Sequence, residues 1–412
     1  TVGLLGRSPI GVRLAAFVPG LLTVAVTYAL ARSLFSRRVG LLSAAVLSIT
    51  LWHVHLSRVG YRAVLLPLFI GLFVWQGALG WRTGRRRYWV AAGFLYGLSA
   101  YTYMAARFSV LAIMLFGLYL IATRPRWRTR RAWMPMVWFG LAMLLVTFPL
   151  VIFTALHPDL VFSRAGQVSI WNLEINGGDF WRTLARHSTR TLGMFFIKGD
   201  RIWRHNVPWR PVFDPLLGLF FFIGLLKALR NFLRDARMAF VVIWTATMML
   251  PTLLAEDAPH FLRAVGVLPL AALFPALGLN WLFGQAYSIT RTMRHAAGDT
   301  QRATRNTQHA LCIALIAILF VSLFATARAY FGDYARADTT AYWFEDGAEA
   351  LAGEVNRFMG AGWDGDRMLQ TGSSDGETTV PSDPRSYLEP GLWETWTSLR
   401  FLVGETSRVH LL

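Results

Sequence analysis

Residues 133–156 read WMPMVWFGLAMLLVTFPLVIFTAL, an apolar run of 24 residues without a charged side chain. A helix rising 1.5 Å per residue needs about 20 such residues to cross a hydrocarbon core of about 30 Å. The stretch therefore reads as a membrane span. Nine further runs of the same kind lie on either side of it, at 10–35, 39–56, 63–81, 89–104, 108–122, 213–233, 238–254, 261–283 and 310–329. The runs at 89–104 and 108–122 are short, which leaves open a helical hairpin that does not cross fully. Composition agrees, since 55% hydrophobic and 14% aromatic residues in a chain of 412, with a mean hydropathy of +0.42, exceed what one soluble core holds. The predicted fold class is an all-α polytopic membrane protein of about ten transmembrane helices with a small α or α/β C-terminal region.

Basic loops stay on the cytoplasmic side of a membrane, and the connections differ sharply in Lys and Arg. Five alternate connections hold 20 basic residues, among them Arg37, Arg38, Arg85 to Arg87, Arg124, Arg126, Arg128, Arg234 and Arg237, whereas the short loops between them hold only Arg58, Arg62, Arg107 and Arg263. This predicts that Thr1, the 157–212 loop and the C-terminal region face outward from a plasma (inner) membrane. It also disposes of the net charge of +18. Residues 329–412 carry 14 acids and 6 bases, or −8, and residues 1–328 carry 9 acids and 35 bases, or +26. The excess is topological, so no nucleic-acid partner is expected. The single Cys312 lies in an apolar run and excludes a disulfide framework.

Two regions are expected in water. The 157–212 loop is too long for a bare connector, and its apolar spacing over 180–196 suits a helix lying in the interface. The region from 329 on opens with one amphipathic helix predicted over 342–359, followed by a polar linker at 372–384, a helix at 393–403 and the start of a strand at 408–412. The domain reading is therefore a membrane domain at 1–328, containing the large loop, and a C-terminal region at 329–412.

Ionisable groups at a membrane face are costly and point to function. Four sets stand out on the predicted outer side. They are His53, His55, Arg58 and Arg62 after the second run, and Tyr101, Tyr103 and Arg107 after the fourth. The others are Lys198, Asp200, Arg204, His205 and Asn206 at the end of the large loop, and Glu256, Asp257, His260 and Arg263 before the ninth run. Arginine forks grip phosphate oxygens and aromatic rings suit sugar faces, so the expected ligand is an anionic head group, a lipid phosphate bearing a sugar. Plainer readings stand beside this. Arg58 and Arg62 also fit as snorkelling cations, Tyr101 and Tyr103 as belt residues, His260 and Arg263 as helix-entry contacts, and Asp214-Pro215 as a helix start. His53 and His55 do not share a helix face, and no metal-ligand cluster is evident, so no metal or cofactor is assigned.

At these residues the chain resembles the GT-C type of membrane glycosyltransferase, near the dolichyl-phosphate-mannose protein mannosyltransferase and aminoarabinose transferase branch, glycosyltransferase family 39. The resemblance rests on Gly11-Val12-Arg13, on Ala31-Arg32-Ser33-Leu34-Phe35 leading into Arg37-Arg38-Val39-Gly40-Leu41, and on His53 to Arg58. It continues in Gly199-Asp200, Arg204-His205-Asn206, Asp214-Pro215-Leu216 and His260-Phe261-Leu262-Arg263. It covers about residues 8 to 285. It implies inverting transfer of a sugar from a polyprenyl-phosphate donor to an acceptor hydroxyl on a protein, lipid or glycan. Arg58, Arg62, Arg263, Lys198 and Arg204 would hold the donor phosphate. His53, His55, Tyr101, Tyr103, His205, Asn206 and His260 would line the sugar or acceptor pocket.

One departure matters. Family members carry a catalytic Asp in the first outer loop and an acid where this chain has Tyr61-Arg62-Ala63, yet residues 1–158 contain no Asp or Glu. The expectation is that the base precedes Thr1, with Asp200, Glu256 and Asp257 as weaker candidates and an inactive chain as the last resort. A transporter or flippase of a lipid-linked or anionic solute, and a surface-polysaccharide polymerase or ligase, remain as alternative functions.

Overall fold

A computed structural model describes residues 2–159, 167–296, 301–369 and 384–412. Seven helical segments in it are long and apolar enough to cross a membrane: Pro9–Leu34, Arg62–Thr83, Met104–Thr123, Ala132–Leu156, Ala236–Leu253, Val265–Ala286 and Gln308–Tyr334. The chain is a multi-pass, predominantly α-helical membrane protein. The other three predicted runs are helical but shorter. The run at 39–56 divides into Arg37–Ile49 and Leu51–Leu56, because Thr50 is extended and turns its hydroxyl back onto the Val46 carbonyl at 2.7 Å. The run at 89–104 is the 14-residue helix Arg86–Ser99, and that at 213–233 is the 16-residue helix Pro215–Arg230.

Local chemistry sets where these helices begin. Ser36 accepts the Val39 amide, and Asp214 accepts the amides of Leu216 and Leu217 with Pro215 in the first turn. Asp214-Pro215 is thus a helix start, its plainer reading from sequence.

The chain forms two compact units, one made of Thr1–Val18, Arg58–Gly60 and Ala329–Leu412, the other of Pro19–Ser57 and Tyr61–Arg328. In the larger unit the Val265–Ala286 segment is the central one, 83% buried, whereas none of the Ala132–Leu156 span is buried. Leu145 and Phe148 on that span are 77% and 62% exposed, a surface that only hydrocarbon would solvate. Glycines let helices approach where a side chain would separate them. A Cβ at Gly224 would strike the Phe274 carbonyl and one at Gly278 the Phe220 carbonyl, so Pro215–Arg230 and Leu273–Ala296 cross backbone to backbone. Gly93 and Gly97 do the same for Arg86–Ser99 against Phe139 and Val146 of the Arg130–Leu156 helix.

In the smaller unit the predicted helix at 342–359 is interrupted. Glu345 takes a left-handed conformation between Asp338–Trp343 and Asp346–Met359, and the buried face of the second helix is Ala348, Ala352, Val355 and Met359, while Trp343 and Phe358 are exposed. That face packs on Leu388, Leu399, Leu402 and Val403. The region at 393–403 is two short helices, Pro390–Thr395 and Thr397–Leu402, and the predicted strand is Val409–Leu411, paired in parallel with Ser386–Leu388. Asn356, fully buried, donates to the Trp363 and Leu402 carbonyls and accepts the Gly404 amide. Residues 372–383 of the predicted linker lie outside the described residues. Cys312 is exposed on the Gln301–Ala327 helix.

Candidate functional site

The end of the large loop, residues 198–211, closes on itself. Gly199 donates its amide to the Trp209 carbonyl at 3.0 Å, and Trp209 donates to the Asp200 carbonyl at 2.9 Å. Trp209 reaches this position with φ of 66°, a left-handed conformation costly for a bulky residue. Gly199 is required here, since a Cβ would meet the Arg210 carbonyl and the Phe261 ring. Asn206, buried, donates to the Asp200 and Arg210 carbonyls at 3.2 and 2.8 Å. Lys198 lies 4.1 Å above the Trp209 ring, and the Arg210 guanidinium donates to the Ala325 carbonyl.

Asp200 is the hinge pin of this loop. Its carboxylate is 0% exposed and accepts the Ile202 amide at 2.8 Å and the Phe261 amide at 2.7 Å. His205 Nδ1 stands 3.5 Å from Asp200 Oδ2, longer than an ordinary N–H···O bond, and has no hydrogen-bond partner.

The Phe261 amide belongs to the turn between the last two spans of the larger unit before residue 286. There the His260 amide donates to Thr252 Oγ1 at 2.7 Å and the His260 ring is buried 4.6 Å from that of His205. Burial, helped by His205 and Arg263, holds the His260 imidazole down to about 3, so it is neutral. Arg263 spends Nη2 on Glu256 at 3.1 Å, while its Nη1 is buried with no hydrogen-bond partner. Arg201 pairs with Asp257 at 2.6 Å. The large loop folds onto this turn. Ile170 donates to the Leu254 carbonyl, Glu256 to the Val168 carbonyl, and His187 on the amphipathic helix Phe180–Gly193 meets the Leu253 carbonyl at 3.2 Å.

The Leu51–Leu56 helix completes the cluster. Trp52 packs on Phe261 with ring centroids 4.6 Å apart, and His55 Nε2 donates to the Arg204 carbonyl at 2.8 Å. Tyr61 sits with its ring 6.0 Å from His205 and within electrostatic reach of Arg204 and Tyr103, and burial pushes its phenol up against the opposing pull of Arg204.

Of the residues singled out from sequence, the fold gathers His55, Tyr103, Asp200, Arg204, His205, Asn206, Glu256, Asp257, His260 and Arg263. It sends others elsewhere. His53 is buried with Nε2 donating to the Gly20 carbonyl, and Tyr101 donates to the Val146 carbonyl on the Arg130–Leu156 helix. Arg62 is exposed at the start of the Arg62–Val64 turn. Arg58 belongs to the smaller unit, where its guanidinium lies 5.7 and 5.1 Å from the rings of Tyr330 and Phe331. The three candidate carboxylates all have partners, Asp200 in backbone amides, Glu256 in Arg263 and Asp257 in Arg201. Two features escape a linear reading. One is the ion pair of Arg201 with Asp257. The other is a group of possible metal ligands, Asp200, His205 and His260, where the sequence shows no such cluster because His260 lies 55 and 60 residues beyond the other two.

Residues 1–153 match the family described as Dolichyl-phosphate-mannose-protein mannosyltransferase. No curated protein matches the chain at a significant level. Among solved structures, the Archaeoglobus fulgidus oligosaccharyltransferase tethered with an acceptor peptide is similar over 97% of this chain and 52% of its own, at 15% identity and a TM-score of 0.52. The archaeal oligosaccharyltransferase AglB in complex with an inhibitory peptide and a dolichol-phosphate matches over 95% and 53%, at 14% identity and a TM-score of 0.51. ArnT from Cupriavidus metallidurans bound to undecaprenyl phosphate covers 100% of the chain and 73% of its own length, at 14% identity and a TM-score of 0.49. The chain thus spans about half the length of the oligosaccharyltransferase, and the likeness is one of fold. The 198–263 cluster lies beyond the matched family segment. The chain has the fold of the GT-C-type membrane glycosyltransferases, and its first 153 residues match the dolichyl-phosphate-mannose-protein mannosyltransferase family.

Proposed function

We propose that this chain is an integral membrane glycosyltransferase that moves a sugar from a polyprenyl-phosphate donor to an acceptor hydroxyl on the extracytoplasmic side. One observation carries the reading. Arg263 holds a buried guanidinium nitrogen with no hydrogen-bond partner, oriented by Glu256 through its other nitrogen. A buried donor of this kind costs about 1–3 kcal/mol or more unless an acceptor arrives, and a phosphate oxygen is the acceptor an arginine fork suits best. Arg204 lies within electrostatic reach of Tyr61 in the same cluster, so a second cation is at hand, with Tyr61 and Tyr103 as apolar walls with polar tips. Support for a polyprenyl carrier comes from the dolichol-phosphate in the AglB complex. Sidedness follows from the 20 basic residues in one set of connections against four in the other.

In the reaction the acceptor oxygen attacks the anomeric carbon, the bond to the carrier phosphate breaks, and the acceptor proton passes to a base. Arg263 and Arg204 would stabilise the phosphate that leaves, because charge grows there as the bond breaks. Asp200, Glu256 and Asp257 are already engaged, so none is assigned as the base.

The test is binding of a polyprenyl monophosphate to the full chain in lipid nanodiscs. Arg263→Ala should weaken binding at least 10-fold and Arg263→Lys less so, while Arg124→Ala on the opposite set of connections should leave it unchanged. Equal binding by the wild type and Arg263→Ala would remove the basis of the proposal.

A further inference from the structure

We infer that Asp200, His205 and His260 bind one divalent transition-metal ion of the zinc class, an inference that does not depend on the proposed transfer reaction. Each residue offers one ligand atom, and the three atoms all lie within 4.8 Å of one another. Two imidazoles and one carboxylate suit zinc or cobalt, whereas calcium and magnesium take oxygen ligands.

Three details favour an ion over a plain hydrogen-bonded cluster. First, the Asp200 carboxylate is 0% exposed and its oxygens each accept a single backbone amide, so one lone pair on each remains. Two amides satisfy hydrogen bonds but do not neutralise a buried negative charge, which stays costly without a cation. Second, His205 Nδ1 faces that carboxylate at 3.5 Å without a hydrogen bond. The separation is close to the ~3.3 Å edge of a tetrahedron whose metal–ligand bonds are ~2.0 Å. Third, the His205 and His260 rings are tilted by 38° at 4.6 Å rather than stacked. His260 Nδ1 faces the Arg263 amide at 3.4 Å, which leaves Nε2 for the ion.

The outer shell is also in place. Metal-bound carboxylates are themselves held by hydrogen bonds, as Asp200 is by Ile202 and Phe261. The Thr252 hydroxyl fixes the His260 backbone and Asn206 fixes the backbone of Asp200. His205 is the least buried member, with 13% of its side chain open, and provides the way in. Three protein ligands leave a fourth position for water. An ion here would clamp the 198–211 loop to the turn that carries Arg263.

The experiment uses the full chain purified in detergent, stripped with a chelator and titrated with zinc chloride, with bound metal counted by mass spectrometry after gel filtration. One zinc per chain is expected. His205→Gln and His260→Gln should each weaken binding at least 10-fold, and His157→Gln and His187→Gln should not. An X-ray absorption edge on the wild-type complex needs no variant, and it should show imidazole scattering at about 2.0 Å. Absence of stoichiometric zinc, an edge without imidazole, or wild-type affinity in both ligand variants would each overturn the assignment. A metal-free Asp200–His205 ion pair would appear as the first of these outcomes.

Discussion

The Asp200 carboxylate accepts the Phe261 amide at 2.7 Å, joining two segments 61 residues apart in sequence. With the Ile202 amide on its other oxygen, it holds the 198–211 loop against the turn that bears His260 and Arg263.

Asp200→Ala should strand two amides at once, the buried one of Phe261 and the part-buried one of Ile202. Each unsatisfied group costs about 1–3 kcal/mol, so the variant should unfold in detergent with a loss of ~2–5 kcal/mol. Asp200→Asn keeps one acceptor oxygen and should lose less. Denaturant unfolding followed by tryptophan fluorescence would rank the two variants, and equal stability of Ala and wild type would contradict the pinning role.

At the Gly224 and Gly278 crossing a single methyl has nowhere to go. Gly224→Ala should destabilise the larger unit by ~1–3 kcal/mol through forced separation of the two helices. Gly140, which has open space around its Cβ position, should accept alanine without penalty. Heat-induced aggregation of the three proteins in the same detergent separates these cases.

The buried Asn356 supports the smaller unit in the same manner as Asp200 supports the loop, with three backbone partners on one side chain. Asn356→Leu should expose the Gly404 amide to hydrogen exchange and cost ~2–4 kcal/mol locally. Exchange at Gly404 that stays at the wild-type rate would argue against this.

His187 supplies the pH dependence. Burial, aided by Arg186 and Arg190 and opposed by the hydrogen bond to the Leu253 carbonyl, holds its pKa below the usual 6.5. The undocked state therefore binds protons more readily, and docking of the Phe180–Gly193 helix should be strongest above about pH 6.5. It should weaken as pH falls below that value and level off beneath the lowered pKa. Hydrogen exchange over residues 180–193 between about pH 5 and pH 8, corrected for intrinsic rates, reads this directly. His187→Gln should flatten the profile, whereas a slope that persists in the variant assigns it elsewhere.

Helices were legible because a membrane span announces itself in a local property, the run of apolar residues, and every predicted run is helical. What stayed hidden depended on contacts far along the chain. Thr50 breaks a run through one hydroxyl that competes for a backbone carbonyl, which hydropathy does not register. Glu345 interrupts a predicted helix by a left-handed turn, which apolar spacing does not register. In the cluster, residue types and neighbourhood were readable at Asp200, His205, His260 and Arg263, but not their division of labour. Arg58 has the same charge as Arg263, yet one stacks on aromatic rings and the other keeps a buried nitrogen unpaired. Only packing distinguishes them.

The Ala132–Leu156 span, none of it buried in the protein, meets the rest of the larger unit along the seam at Gly93 and Gly97. Its main neighbour is the bilayer, so its tilt answers to hydrophobic thickness as well as to packing. Lipids of different acyl-chain length thus offer a way to move this one helix, and the Tyr101 hydroxyl bonded to it at Val146, without changing a residue.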